Sequence, residues 1–188
     1  EIDNNIIQDF KTTGIYASTT TNNWKFTNNT IKNIELNGIY VENTEGVFNN
    51  NEINGVTAGN GINITASNTT VSENRFLNIQ AGTGIIVNGI NNLIANNFIQ
   101  AEGVGIAKGI SLQENGSGSK IVFNSINITG TDIANGVGLE VLGGNNYTVK
   151  NNIFANEGGG LAAKLDLSIA GSDWDYNDFY SSGDEFGS

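Results

Sequence analysis

The only arginine of the chain, Arg75, is the first side chain for which a catalytic role can be considered. It follows Asn74 directly, and Glu52 holds the matching place one sequence repeat earlier, so the two side chains are predicted to be neighbours on the outer surface. They could act as a base beside a metal-binding carboxylate. They could also form a cross-strand ion pair, which typically contributes about 0.2–1 kcal/mol. No stacked carboxylates accompany Arg75, so we favour the ion pair.

Three aspartates near the end of the sequence, Asp173, Asp175 and Asp178, are the best candidates for binding a metal ion. Asp173 and Asp175 alternate around Trp174, so on a strand they would project from the same face. Carboxylate oxygens in such a place could bind a hard cation, and calcium is the one cofactor that the sequence suggests. The spacing lacks the glycine and the bidentate glutamate of a dedicated calcium loop, so a hydrated acidic edge is the alternative.

A pair of tyrosines, Tyr16 and Tyr40, is the best candidate for binding a ligand. Each stands between two apolar residues of a period-2 segment, so its side chain is predicted to point outward while its neighbours point inward. Two stacked, exposed aromatic rings would form a platform for sugar rings. Asn63, Ser111 and Glu140 occupy the same place in later repeats and would continue this face with polar groups. The alternative is an aromatic pair that only stabilises the sheet.

The composition excludes several classes of function. The chain has no histidine and no cysteine, which removes the usual zinc ligands and the bases or nucleophiles of Ser-His and Cys-His hydrolases. Its net charge of -11 and pI near 4.2 argue against binding to nucleic acid or to anionic lipid. Hard cations and neutral sugars are the more compatible partners. No apolar stretch is long enough to cross a membrane, so no membrane span is expected.

A repeated pattern of apolar residues around an asparagine must position these side chains. The pattern recurs every 22 to 28 residues, with an apolar residue three places before the asparagine and another two places after it. The eight asparagines are Asn5, Asn29, Asn51, Asn74, Asn96, Asn124, Asn152 and Asn177. In the fifth repeat the flanking residues are Leu93 and Phe98. A repeat of this length indicates a solenoid, and the short period-2 segments indicate strands.

A second element, a glycine followed by a branched apolar residue, comes later in each repeat. It begins at Gly14, Gly38, Gly61, Gly84, Gly109, Gly138 and Gly160. The two elements together predict an all-β, single-stranded parallel β-helix of about eight coils. Its asparagines would turn the chain in the left-handed region and form an internal ladder of amide hydrogen bonds. Two coils are longer, and their extra residues 100–108 and 129–136 are predicted to project as loops.

These motifs resemble those of the right-handed parallel β-helix superfamily, which includes pectate lyases, alginate-modifying enzymes and many bacterial surface proteins. The segments Phe26 to Ile31, Val71 to Phe76 and Val149 to Phe154 carry the resemblance. It covers nearly the whole chain and implies the fold and the hand of the winding, and also secretion. The lyases of the superfamily use calcium held by carboxylates together with an arginine or lysine base. The repeats themselves define the scaffold and no chemistry.

The sequence therefore predicts one β-helix domain over residues 1–188. Neither end shows a capping helix, which suggests a segment of a longer protein, or coils that dock end to end on a partner. We expect a non-catalytic module of a secreted or cell-surface protein, binding polysaccharide or serving as a rigid adhesive stalk. The alternative is a calcium-dependent polysaccharide lyase, an epimerase or a glycoside hydrolase acting on acidic polysaccharide.

Overall fold

The computed structural model describes residues 1–18, 23–42, 45–165, 170–185 and 187, and over these residues the chain winds into a solenoid of parallel strands. The described residues contain strands, turns and bends and no helix. Each strand pairs with the strands one winding before and after it, as expected when sequential repeats stack. The prediction of an all-β parallel β-helix is confirmed.

The strands form three lengthwise faces. The first face contains β1 (Ile2–Asp3), β4 (Trp24–Thr27), β7 (Gly46–Asn49), β10 (Thr70–Ser72), β12 (Leu93–Ala95), β14 (Lys120–Val122), β17 (Thr148–Lys150) and β20 (Asp173–Asp175). The second contains β2 (Ile6–Phe10), β5 (Thr30–Ile34), β8 (Glu52–Val56), β11 (Arg75–Val87), β13 (Phe98–Leu112), β15 (Ser125–Ile128), β18 (Ile153–Asn156) and β21 (Asp178–Ser181). The eight strands of the first face enclose about seven complete turns.

The third face contains β3 (Ile15–Ser18), β6 (Ile39–Glu42), β9 (Ile62–Ile64), β16 (Gly136–Val141) and β19 (Leu161–Leu165). The long strands β11 and β13 pass through the corner and supply its fourth and fifth members, so that the second and third faces form one 13-stranded sheet. Successive windings are about 4.8 Å apart, the usual spacing between paired strands. Side chains in register therefore form columns along the axis.

Aliphatic and aromatic columns fill the interior. One column runs from Ile31 through Ile53, Phe76, Ile99 and Ile126 to Phe154, all of them buried. Another follows the third face, where Ile39, Ile62, Ile85, Ile110 and Leu139 are in register and fully buried. Burial of these columns is possible only when the windings stack, because one winding alone would leave its apolar side chains exposed on both sides.

The asparagine ladder is confirmed, with one correction. Its members are Asn5, Asn29, Asn51, Asn74, Asn97, Asn124, Asn152 and Asn177. In each member before Asn177, the main-chain N–H and the side-chain Nδ2 both donate to Oδ1 of the next asparagine, at 2.9–3.2 Å. From Asn29 onward, Nδ2 also donates to a main-chain carbonyl of the preceding winding.

The prediction that Asn96 belongs to the ladder is wrong. Asn97 occupies the ladder position, and Asn96 is exposed in the left-handed region at a φ of 55°. The neighbouring predictions shift with it: Ile94 and Ile99 are the buried flanks, whereas Leu93 is half-buried and Phe98 is exposed. The left-handed residue is the one before each ladder asparagine, and the ladder asparagine itself has an ordinary φ. The prediction was wrong by one residue because Leu93 and Phe98 are also apolar and have the same spacing as the true flanks.

Gly160 is also misplaced by the sequence pattern. In the structure Leu161 pairs with Val137, and Ala163 pairs with Leu139, so Ala162 takes the place that Gly138 holds one winding earlier. Of the two predicted loops, residues 129–135 do lie outside the strands. Residues 100–108 instead belong to the continuous strand β13, and only residues 103–106 bulge out of its pairing with β11.

Candidate functional site

The third face begins with two stacked tyrosines. The rings of Tyr16 and Tyr40 lie 5.3 Å apart and nearly parallel, at 15°. Tyr16 is 61% exposed, and its hydroxyl donates to Oε2 of Glu42, which raises the pKa of the phenol. The stacking predicted from the sequence is confirmed. Parallel in-register strands bring the two rings together, because β3 pairs with β6 at these residues.

The same outward column continues along the third face over later windings. Asn63, Ile86, Ser111 and Glu140 follow Tyr40 in register. Asn63 and Ile86 are half-buried, whereas Ser111 and Glu140 are buried. The sequence pattern correctly predicted that Asn63, Ser111 and Glu140 share a face with the tyrosines, and it did not include Ile86. The face is therefore aromatic at one end and changes to buried polar groups further along.

A largely buried ion pair, Lys108 with Glu140, lies on the later windings of this column, where Lys164 follows Glu140 in register. Nζ of Lys108 is 2.7 Å from both carboxylate oxygens of Glu140, and the side chains are only 19% and 4% exposed. Oγ of Ser111 donates to Oε2 of Glu140 at 2.9 Å, and Nε2 of Gln113 donates to Ser111 at 2.7 Å. The sequence pattern indicated Glu140 but not Lys108 or Gln113. A signal was present, because Lys108 and Glu140 carry opposite charges and lie in the two long neighbouring repeats.

The ion pair lines a pocket of about 410 Å³. Polar groups from Thr83, Ser111 and Gln113 line it together with the apolar side chains Ile86 and Ile106. Ile106 belongs to the 103–106 bulge of β13, which therefore supplies part of the pocket's apolar lining. A pocket with an apolar surface and a few convergent polar groups is the usual form of a small-molecule site.

A second concavity runs along the corner where β2, β5 and β8 end. It has a volume of about 500 Å³ and crosses several windings. Its polar lining includes Asp9, Asn33, Asn54, Asn78, Gln80 and Glu102. Nδ2 of Asn33 donates to Asp9, and Nδ2 of Asn78 donates to Asn54, at 2.9 and 2.8 Å. This groove presents amides and carboxylates to solvent, together with Lys11 and one aromatic ring, Phe10.

A family model described as the right handed beta helix region matches residues 13–166 of the chain. The chain belongs to the right-handed beta-helix family. No curated protein and no solved structure matched it. Membership of the family fixes the scaffold, while any activity depends on the side chains of the outer faces. No helix among the described residues is long and apolar enough to cross a membrane.

Arg75 and Glu52, the residues considered for base chemistry within this right-handed beta-helix, form an ion pair on the second face. Nη1 of Arg75 is 3.2 Å from Oε2 of Glu52, and the arginine side chain is 60% exposed. The predicted neighbourhood is confirmed. In register with Arg75 on the other side is Phe98, an apolar side chain. The pair therefore has the environment of a surface ion pair, in which solvent screens the attraction.

The three aspartates predicted as a cation site are not brought together. Asp173 and Asp175 lie on β20, and Asp178 begins β21 on another face. The carboxylate of Asp173 pairs with Lys150, which raises the pKa of that lysine, and Asp175 accepts a hydrogen bond from the main-chain N–H of Tyr176. Across the described ranges of the chain, no group of three or more acidic, histidine or cysteine side chains could hold a metal ion.

Proposed function

We propose that this β-helix is a non-catalytic module of a secreted or cell-surface protein and that its third face binds polysaccharide. The stacked pair Tyr16 and Tyr40 carries the proposal. Two parallel, accessible rings at the coil spacing offer an apolar platform of the size of a sugar ring, with polar groups from Asn63 beside it. Such rings supply a large contact area at little entropic cost, and their hydroxyls add hydrogen bonds.

The charge arrangement supports binding without catalysis. Arg75 is held by Glu52 at the surface, and no cluster of carboxylates that could hold calcium occurs among the described residues. A lyase of the kind that the sequence resembles would need both a base and a cation site. A location outside the cell is part of the proposal, since it agrees with that resemblance and with a surface made soluble mainly by amides and hydroxyls.

Binding to an array of neutral and uronic oligosaccharides tests the proposal. Tyr16→Ala and Tyr40→Ala should each weaken binding about tenfold, equivalent to about 1.4 kcal/mol. Tyr180→Ala is the matched control, because Tyr180 is a similarly exposed tyrosine on the second face. Equal loss in all three variants, or no binding by the native chain, would count against the platform and favour a purely structural stalk.

Enzyme assays on the same oligosaccharides test the alternative activity. Incubation with uronic acid polymers, with and without calcium, should release neither unsaturated products nor reducing ends. Release that depends on calcium and disappears in Arg75→Ala would establish a lyase and overturn the proposal.

A further inference from the structure

The largely buried ion pair of Lys108 and Glu140 costs free energy to form. Removing two charges from water costs several kcal/mol, and an apolar pair of similar volume is often as stable or more stable. This cost, together with the location of the ion pair in a pocket, points to a role in ligand recognition.

The pocket presents an ordered set of hydrogen-bonding groups. Gln113 donates to Ser111, and both Ser111 and Lys108 donate to Glu140. Every lysine ammonium has three N–H groups, and the two contacts with Glu140 leave at least one to donate. The lysine is also the more exposed partner, so its remaining N–H is accessible to a ligand.

The charges in the pocket select the kind of ligand. Both carboxylate oxygens of Glu140 lie 2.7 Å from the ammonium of Lys108, so the pair is neutral as a unit. Lys164, which is in register with Glu140 on the next winding, does not line the pocket. An anionic ligand bound to Lys108 would lie within a few ångströms of Glu140, and like charges at that range repel when water is excluded. A hydroxyl group can accept from Lys108 without this penalty. Ile86 and Ile106 provide an apolar surface for the carbon face of the same ligand.

We propose that the Lys108–Glu140 pocket is the specificity subsite of the third face and that it accepts a neutral, hydroxyl-rich sugar and rejects a uronate. This inference rests on the proposed function. Tyr40 and Ser111 are three windings apart, about 14 Å at the usual strand spacing. A short oligosaccharide lying along the axis could therefore contact the platform and the pocket together.

Glu140→Gln is the central variant of the test. Glutamine keeps the shape and an acceptor for Ser111 but removes the negative charge, which leaves the charge of Lys108 unmatched. We expect affinity for neutral oligosaccharides to fall about tenfold and affinity for uronic oligosaccharides to rise several-fold. Glu52→Gln, the same change in the exposed pair on the second face, should alter neither. The double variant Lys108→Met with Glu140→Leu keeps the pocket uncharged and should lose neutral binding while remaining folded.

Titration with monosaccharides separates the pocket from the platform. A neutral hexose should shift the amide resonances of Thr83 and Ser111, and the corresponding uronate should not, even when Tyr16 and Tyr40 are both alanine. If the tyrosine variants lose oligosaccharide binding but the Glu140 and Lys108 variants do not, the pocket inference is wrong and the platform stands. If the hexose shifts these amides but no oligosaccharide binds, the pocket stands and the proposed function is wrong. If neither probe binds, both are wrong.

Discussion

Nδ2 of Asn74 donates to Oδ1 of Asn97 at 3.0 Å, while the adjacent Asn96 is exposed to solvent. Oδ1 of Asn97 also accepts the main-chain N–H of Asn74, so one oxygen satisfies two buried donors of the winding before it. The amide group of Asn97 in turn donates to Val71 and to Asn124. Each ladder asparagine thus supplies the hydrogen bonds that a tight turn between sheets would leave unmade.

Asn97→Ala should therefore destabilise the solenoid strongly. The variant removes the acceptor of the main-chain N–H of Asn74 and a donor to the carbonyl of Val71, and each buried unsatisfied group costs about 1–3 kcal/mol. Nδ2 of Asn74 keeps its bonds to the carbonyls of Phe48 and Ser72. We expect a loss of about 3–5 kcal/mol in the free energy of unfolding, measured by urea denaturation. Asn96→Gly is the control, because glycine adopts the left-handed conformation readily and should change the stability little. A larger loss of stability for Asn96→Gly than for Asn97→Ala would instead support Asn96 as the ladder residue.

The difference between Asn96 and Asn97 shows what a sequence repeat can and cannot specify. The pattern correctly predicted the fold and most of the columns, because apolar alternation and stacking allow few other arrangements. It failed where two registers satisfied the same pattern. Only the burial of Ile94 and Ile99, which depends on their three-dimensional neighbours, decides between them.

Gly84→Ala is expected to destabilise the third face. A Cβ at this position would lie 2.4 Å from Cγ2 of Ile99 and 2.8 Å from the carbonyl oxygen of Gly109, so the neighbouring winding would have to move. Overpacking of this kind typically costs about 1–3 kcal/mol. Gly105→Ala is the control, since its Cβ would meet nothing closer than Ala81 at 4.0 Å. Urea denaturation of both variants should show a loss for the first alone.

Phe123→Asn is expected to stabilise the chain. Phe123 is 56% exposed and has a φ of 58°, in a column where five other windings place asparagine. A left-handed conformation costs an ordinary residue about 1–2 kcal/mol, and asparagine tolerates it better. A gain of about 0.5–1 kcal/mol should appear as a higher urea midpoint. Phe123→Ala should give no such gain in stability, because alanine tolerates the left-handed conformation no better than phenylalanine does. An equal gain in the alanine variant would show that loss of the exposed ring, and not relief of backbone strain, is the cause.

The candidate site was only partly accessible from the sequence. The tyrosine stack followed from period-2 alternation in two consecutive repeats of similar length. The pocket did not, because it depends on the bulge at residues 103–106, which brings Ile106 beside Lys108, and no rule of alternation predicts a four-residue bulge. The three aspartates were grouped by their closeness in sequence, but the bend at Tyr176 places Asp178 on another face.

Tyr147 should make the stability of the chain fall at alkaline pH. Its side chain is 1% exposed, its hydroxyl donates to the carbonyl of Gly143, and burial raises the pKa of the phenol to about 12. An unfolded tyrosine titrates near pH 10. Because the folded pKa is the higher one, this contribution is fully present below about pH 10 and is lost as the pH rises through about 12.

Tyr147→Phe lacks the ionisable group, so its free energy of unfolding should be about 1 kcal/mol lower than that of the native chain at pH 8. Urea denaturation at several pH values should show that this difference shrinks above pH 10, and a constant difference would exclude Tyr147 as the source of the alkaline loss.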